Sequence, residues 1–160
     1  MANYIYPAPG NAAAEATLTI HHTSKVADAT GLAIPSMQDI TVNASNDVFT
    51  WTQLDESAKK QVATTATNSI TINLVLENDS FFGTTGSGGA TAAAAGVMGL
   101  SIDKQIVEFD LYIGDESDGS NSKTINGTGY ITGVAPTVSA DAPVWVSPVT
   151  ITVTGEYTIS

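Results

Sequence analysis

The chain has 160 residues, 16 Asp plus Glu against five basic residues, a formal net charge of −11 and no cysteine. All five basic residues are lysines (Lys25, Lys59, Lys60, Lys104, Lys123), so there is neither an Arg fork nor a basic patch to grip nucleic-acid phosphates. The missing cysteine excludes a disulfide framework, a thiol nucleophile and a Cys-based zinc site.

Hydrophobic content of 42% with 13% charged residues points to a folded chain rather than a disordered acidic one. No apolar run reaches the roughly 18 residues that a membrane helix needs. Residues 1–10 lack the basic region and apolar core of a signal peptide.

Residues 1–14, with Tyr4, Tyr6, Pro7 and Pro9, read as an extended arm ahead of a single domain at 15–160. Strands are predicted at 17–22 and 39–44. Two further strands, 48–54 and 61–67, flank a charged segment at 55–60 that reads either as a hairpin tip or as a short helix. At 70–77, Ile70, Ile72, Leu74 and Leu76 alternate with polar or outward positions, a period of two that marks a strand with one buried face. The glycine-rich run 83–89 reads as a flexible loop.

The one predicted helix covers 91–103. Thr91 can cap it, while Gly96 and Gly99 weaken it by about 1 kcal/mol each. Alternation returns at 106–113 (Val107, Phe109, Leu111, Ile113). A polar loop at 115–122 follows, then a strand at 124–134 and a last strand at 149–159. The fold class is therefore mainly β: a β-sandwich or barrel with one flanking α-helix.

No catalytic constellation emerges. His21 and His22 are adjacent on a strand, so they point to opposite faces and do not chelate one metal. Asp115, Glu116 and Asp118 have the oxygen chemistry of half a calcium loop, without its distal Glu. Glu108 and Asp110 share a strand face, an arrangement that serves acid–base chemistry only inside a cleft. The glycine run lacks the Lys-Ser or Lys-Thr of a phosphate loop. Trp51 and Trp145, with the four phenylalanines, read by default as core. No cofactor and no metal is expected. An uncharged, Thr-rich strand face suits sheet extension between subunits, so the profile is that of an assembly protein.

Several segments carry a resemblance. They are Asn-Ser-Ile-Thr-Ile-Asn-Leu-Val-Leu-Glu-Asn-Asp-Ser-Phe-Phe at 68–82, the Ala-rich helix, Asp-Lys-Gln-Ile-Val-Glu-Phe-Asp-Leu-Tyr-Ile-Gly at 103–114, Gly-Thr-Gly-Tyr-Ile-Thr-Gly-Val at 127–134 and Ala-Asp-Ala-Pro-Val-Trp-Val-Ser-Pro-Val-Thr at 140–150. In order and pattern the chain from about Asp39 onward resembles the major tail tube proteins of tailed bacteriophages, siphophage-like in kind. Related tube proteins serve contractile tails and secretion machines.

The resemblance implies six-fold rings stacked into a hollow tube, whose lumen conducts DNA without binding it. It implies a subunit that partners with itself and with tape measure, tail terminator and distal tail proteins. It also implies a place in the virion tail after assembly in the host cytoplasm, with no membrane insertion by this chain and no added C-terminal immunoglobulin-like domain. Inter-ring contact falls to the hairpin, at Asp55, Glu56, Lys59 and Lys60. Tyr4 and Tyr6 of the arm would clasp a neighbour, and Asp39, Asp47 and Glu77 are the candidates to line the lumen.

Two other classes compete with this reading. One is a β-sandwich binding module, for capsid decoration or carbohydrate, using Trp51 or Trp145. The other is a hydrolase using Glu108 and Asp110.

Overall fold

Alternating apolar residues put one face of a large antiparallel sheet inside. The computed structural model describes residues 16–35, 37–55, 57–65, 67–114, 122–141 and 144–160. The arm with Tyr4 and Tyr6, Glu56, and the loop acids Asp115, Glu116 and Asp118 lie outside the described residues.

The elements are strands β1 (Ala16–His22), β2 (Leu32–Ala33), β3 (Met37–Asn43), β4 (Asn46–Thr52), β5 (Lys59–Thr65) and β6 (Asn68–Val75), a π-helical turn (Asn78–Phe82), helix α1 (Ala92–Ile102), and strands β7 (Ile106–Ile113), β8 (Lys123–Val134), β9 (Val146–Val153) and β10 (Thr158–Ile159). Eight strands form one sheet in the order β2-β1-β7-β8-β9-β6-β3, with β10 also on β8, while β4 and β5 pair only with each other.

The register shows how period-two patterning becomes a core. Ile70, Ile72 and Leu74 of β6 lie opposite Ile151, Val149 and Ser147 of β9. Phe109 and Leu111 of β7 lie opposite Ile20 and Leu18 of β1. The apolar residues among these join Val107, Ile131 and Val153 in one buried cluster, into which α1 adds Ala92, Ala95, Val97 and Leu100. Each fully buried aliphatic side chain contributes about 1.5–3 kcal/mol relative to exposure. The outer face is polar: Asp39, Thr41 and Asn43 of β3 lie opposite Asn73, Thr71 and Ser69 of β6.

Three local expectations are corrected. The strand expected at 149–159 is interrupted. Pairing with β8 runs from Val149 to Val153, then resumes two residues out of step at Thr158 and Ile159, with Gly155 at φ 93° in the bulge. Tyr157 stays inside because the bulge absorbs the extra residues.

The helix is broken at Gly96, which has φ 68°. There the Ala94 carbonyl accepts N–H bonds from Thr85 and Gly86, at 2.9 and 3.0 Å.

The glycine run is therefore a packed strap, not a flexible loop. Gly83 and Gly96 cross so closely that a Cβ on either would overlap the other segment's backbone. Ser87 Oγ and Gly88 N–H donate to the Asp103 carboxylate, and together these two bonds hold that carboxyl below its ordinary range. No helix among the described residues is long and apolar enough to cross a membrane.

Candidate functional site

The charged segment is not a helix in its described part: Asp55 follows the end of β4, and Lys59 and Lys60 already belong to β5. β4 and β5 are in continuous register from Asn46↔Thr65 to Thr52↔Lys59. Alternation puts Asp47, Phe49, Trp51, Lys60, Val62 and Thr64 on one face of this ribbon, with Val48, Thr50, Gln61 and Ala63 on the other. Among the described residues, nothing covers either face. Phe49 is 59% exposed and Trp51 37%, Val48 and Val62 are about half exposed, and Leu54 at the tip stands fully in solvent.

Phe49 and Trp51 stack on each other, with ring centroids 6.0 Å apart. The default assignment of the aromatics to the core thus holds for Phe81 and Phe109 but fails for Phe49, Phe82, Trp51 and Trp145. For Phe49 and Trp51 the reason is topological: β4 and β5 leave the sheet, so neither strand has a second layer to pack against.

The base of the ribbon is fixed. Asn68, buried at the start of β6, accepts the Ser45 N–H at 3.1 Å. The Tyr157 hydroxyl lies 2.9 Å from the Asn43 carbonyl and 3.1 Å from that of Ser69, and its ring meets Phe109 edge-on at 6.4 Å. Burial raises the Tyr157 pKa, which keeps the hydroxyl a donor. Sequence patterning placed Tyr157 in a strand and left Asn68 between two strands, and it carried no sign of their partners, which lie 23 to 114 positions away.

The opposite end of the same sheet carries an open cavity of about 250 Å³ lined by Val75, Leu76, Val144 and Trp145. Leu76 N–H donates to the Trp145 carbonyl at 2.8 Å, which fixes the two walls. Trp145 is 49% exposed. Glu77 and Asp79 follow the Leu76 wall and Asp141 precedes Val144 by three positions; all three are exposed. β6, eight residues long, separates hairpin base from cavity by about 23 Å at roughly 3.3 Å per residue.

The site residues expected from sequence are scattered over these parts. Asp55 and Lys59 are exposed at the hairpin tip, and Lys60 Nζ donates to Gln53 Oε1 at 2.7 Å. Asp47 is on the hairpin near its base. Asp39 is on edge strand β3, where Asn73 Nδ2 donates to both its oxygens at 2.9 and 3.1 Å. Glu77, at the cavity end, accepts from Ser80 at 2.8 Å. Within one subunit, then, Asp39, Asp47 and Glu77 sit on three separate elements.

The titratable cluster at β1 and β7 serves the loop between β1 and β2. Glu108 accepts the Lys25 N–H at 2.8 Å, and Lys25 Nζ pairs with Asp110, a bond that raises the lysine's pKa. Buried His21 sits between the Asp28 carbonyl, 2.7 Å from Nδ1, and Asp110, 3.4 Å from Nε2. The Asp28 carboxylate accepts N–H bonds from His22 (3.1 Å), Gly31 (3.3 Å) and Ala92 (2.8 Å), so it ties β1, the loop and the start of α1 together. Burial pushes its pKa up, yet the three donors outweigh burial and the net value is below the ordinary carboxylate range. Glu108 and Asp110 are thus engaged with the 23–31 loop rather than with a cleft, and among the described residues no group of three or more His, Asp or Glu is placed to hold a metal.

No protein-family model and no curated protein sequence matches the chain. Solved structures do. A chain from the virion of a native gene transfer agent particle superposes with TM-score 0.60 at 14% identity, covering 89% of this chain and 95% of that one. A chain from the sheath/tube terminator of an extracellular contractile injection system (PVC, extended state) gives TM-score 0.59 at 10% identity, covering 100% and 99%. A chain from the tail of an empty gene transfer agent particle, refined with C6 symmetry, gives 0.58 at 12% identity, covering 89% and 95%. The β-rich fold with one helix is therefore the fold of chains in phage-like tail and injection assemblies.

Proposed function

We propose that this chain is the repeating subunit of a hollow tail tube, built from six-fold rings that stack through the β4–β5 hairpin. The observation that carries this reading is the hairpin itself. A two-stranded ribbon is marginal in water unless a further surface covers it. This one exposes Phe49, Trp51, Val62 and Leu54, a composition that fits an interface rather than a solvated loop. The shared fold with tail-particle chains supports the same reading.

In the tube, the sheet's polar outer face and edge strand β3 meet neighbouring subunits. Asp39, Asp47 and Glu77 contribute to a lumen whose negative charge repels phosphates, so DNA passes without being held. Tape measure, terminator and distal tail proteins are the remaining partners, and the virion tail is the location. The likeness to a contractile injection system's terminator makes the tube of a contractile machine the second reading.

Negative-stain microscopy of the purified protein tests the proposal. Hollow tubes or six-membered rings are expected; a well-folded monomer that never assembles, alone or with tail partners, overturns it. The double substitution Lys59→Glu with Lys60→Glu is expected to reduce ring stacking strongly while changing monomer stability by less than about 0.5 kcal/mol. Undiminished tubes in that variant would remove these lysines from the contact.

A further inference from the structure

The hairpin needs a receptor, and the same chain carries a candidate at its other end. We propose that the hairpin tip of one copy, led by Leu54, seats against Val75, Leu76, Val144 and Trp145 of the next copy. This inference rests on the tube reading and names the surface on which the hairpin would act.

Four features on the molecule point to a second copy as the occupant. First, the hairpin base and the socket lie at opposite ends of β6, and within one chain the tip residue Leu54 stands in solvent while the socket is open. A heterologous, head-to-tail contact does not close between two copies; it continues as a ring or a filament. Second, the sizes agree: the cavity of about 250 Å³ is below the roughly 300–1,000 Å³ of sites that enclose small ligands. It is open and lined by four apolar residues together with exposed backbone polar atoms, which suits one or two side chains presented on a rigid ribbon.

Third, charges can pair across the contact. The ribbon carries Lys59 and Lys60, two of the five lysines in the chain, beyond a tip that also holds Asp55. Exposed Glu77, Asp79 and Asp141 lie within three positions of the socket's lining along the chain. Opposed signs at the rim steer approach and fix register around an apolar centre. Fourth, both walls are braced: Trp145 is tied by its carbonyl to Leu76, and the hairpin base is tied by Asn68 and Tyr157. Rigid partners lose less entropy on docking.

The natural absence of cysteine makes the test clean. Leu54→Cys and Val144→Cys are made as separate full-length proteins, mixed at assembling concentration and treated with a short bis-maleimide. A covalent heterodimer is expected to form about tenfold faster or more than between Leu54→Cys and Val26→Cys, an exposed control, because docking raises the local concentration. A protein carrying both Leu54→Cys and Val144→Cys is expected to give a ladder of oligomers.

Cross-linking no faster than the control, under conditions where microscopy shows wild-type tubes, overturns the socket and leaves the tube reading standing. Neither cross-links nor tubes overturns both. Preferential joining of Val144→Cys to itself would mark a face-to-face dimer and also overturns the head-to-tail seat.

Discussion

The eight-stranded sheet and the β4–β5 hairpin are built from the same alternating grammar and end in opposite states. In the sheet, every second residue of β6, β7 and β9 is buried and each strand has a neighbour on both sides. In the hairpin, Phe49, Trp51 and Val62 alternate just as regularly and remain in solvent. The difference lies in the available partner, not in the pattern. Alternation specifies a face that needs covering; only the rest of the assembly determines what covers it. A core complete within one chain beside an incomplete ribbon is what a subunit needs if it must fold before it polymerises.

That contrast can be broken from the core side first. Gly96→Ala introduces a Cβ at φ 68°, against the backbone of Gly83. A loss of about 3 kcal/mol or more is expected from strain and overpacking combined, read as a lowered urea midpoint. Retained stability would mean that the strap and the helix separate at little cost.

A smaller effect is expected at Asp28. Asp28→Asn leaves at least one of three N–H donors poorly served and removes the charge at the start of α1, for a loss of about 1–3 kcal/mol at pH 7. The sign of its pH dependence follows from the net lowering of the carboxyl's pKa in the folded state. The stabilisation is complete above the unfolded value of 3.8 and is lost as the pH falls through the lower folded value. The gap between wild type and Asp28→Asn should therefore narrow in urea titrations taken well below that value. A gap that persists there would show that the charge plays no part.

The smallest effect on the monomer, and the largest on assembly, belongs to the hairpin. Phe49→Ser with Trp51→Ser should cost the isolated subunit no more than about 1.5 kcal/mol, since the two rings stack on each other but pack against no second layer. Sedimentation should then show subunits that no longer pellet as tubes. If the monomer itself unfolds, the ribbon belongs to the core energetically and the contrast drawn above is wrong.

Much of this was legible beforehand, because it depends on short-range physics. The strands around Ile70, Phe109 and Ile151 follow from period-two alternation, and the helix from its Ala run and the Thr91 cap. Other features were not legible because their causes are distant in sequence. Gly96 looked like a weak helix residue until Gly83 was found against it. Glu108 and Asp110 looked like a possible acid–base pair until Lys25 and the 23–31 loop were found engaging them. Trp145 looked like core until its surroundings proved to be an open cavity.

By itself, then, the sequence determined an acidic, cysteine-free, mainly β chain with one helix, since composition and alternation act locally and additively. Only the tertiary structure decided which apolar residues are spent inside and which are left over. Burial is a property of where strands lie relative to one another, and the departure of β4 and β5 from the sheet leaves Phe49, Trp51 and Leu54 for another surface.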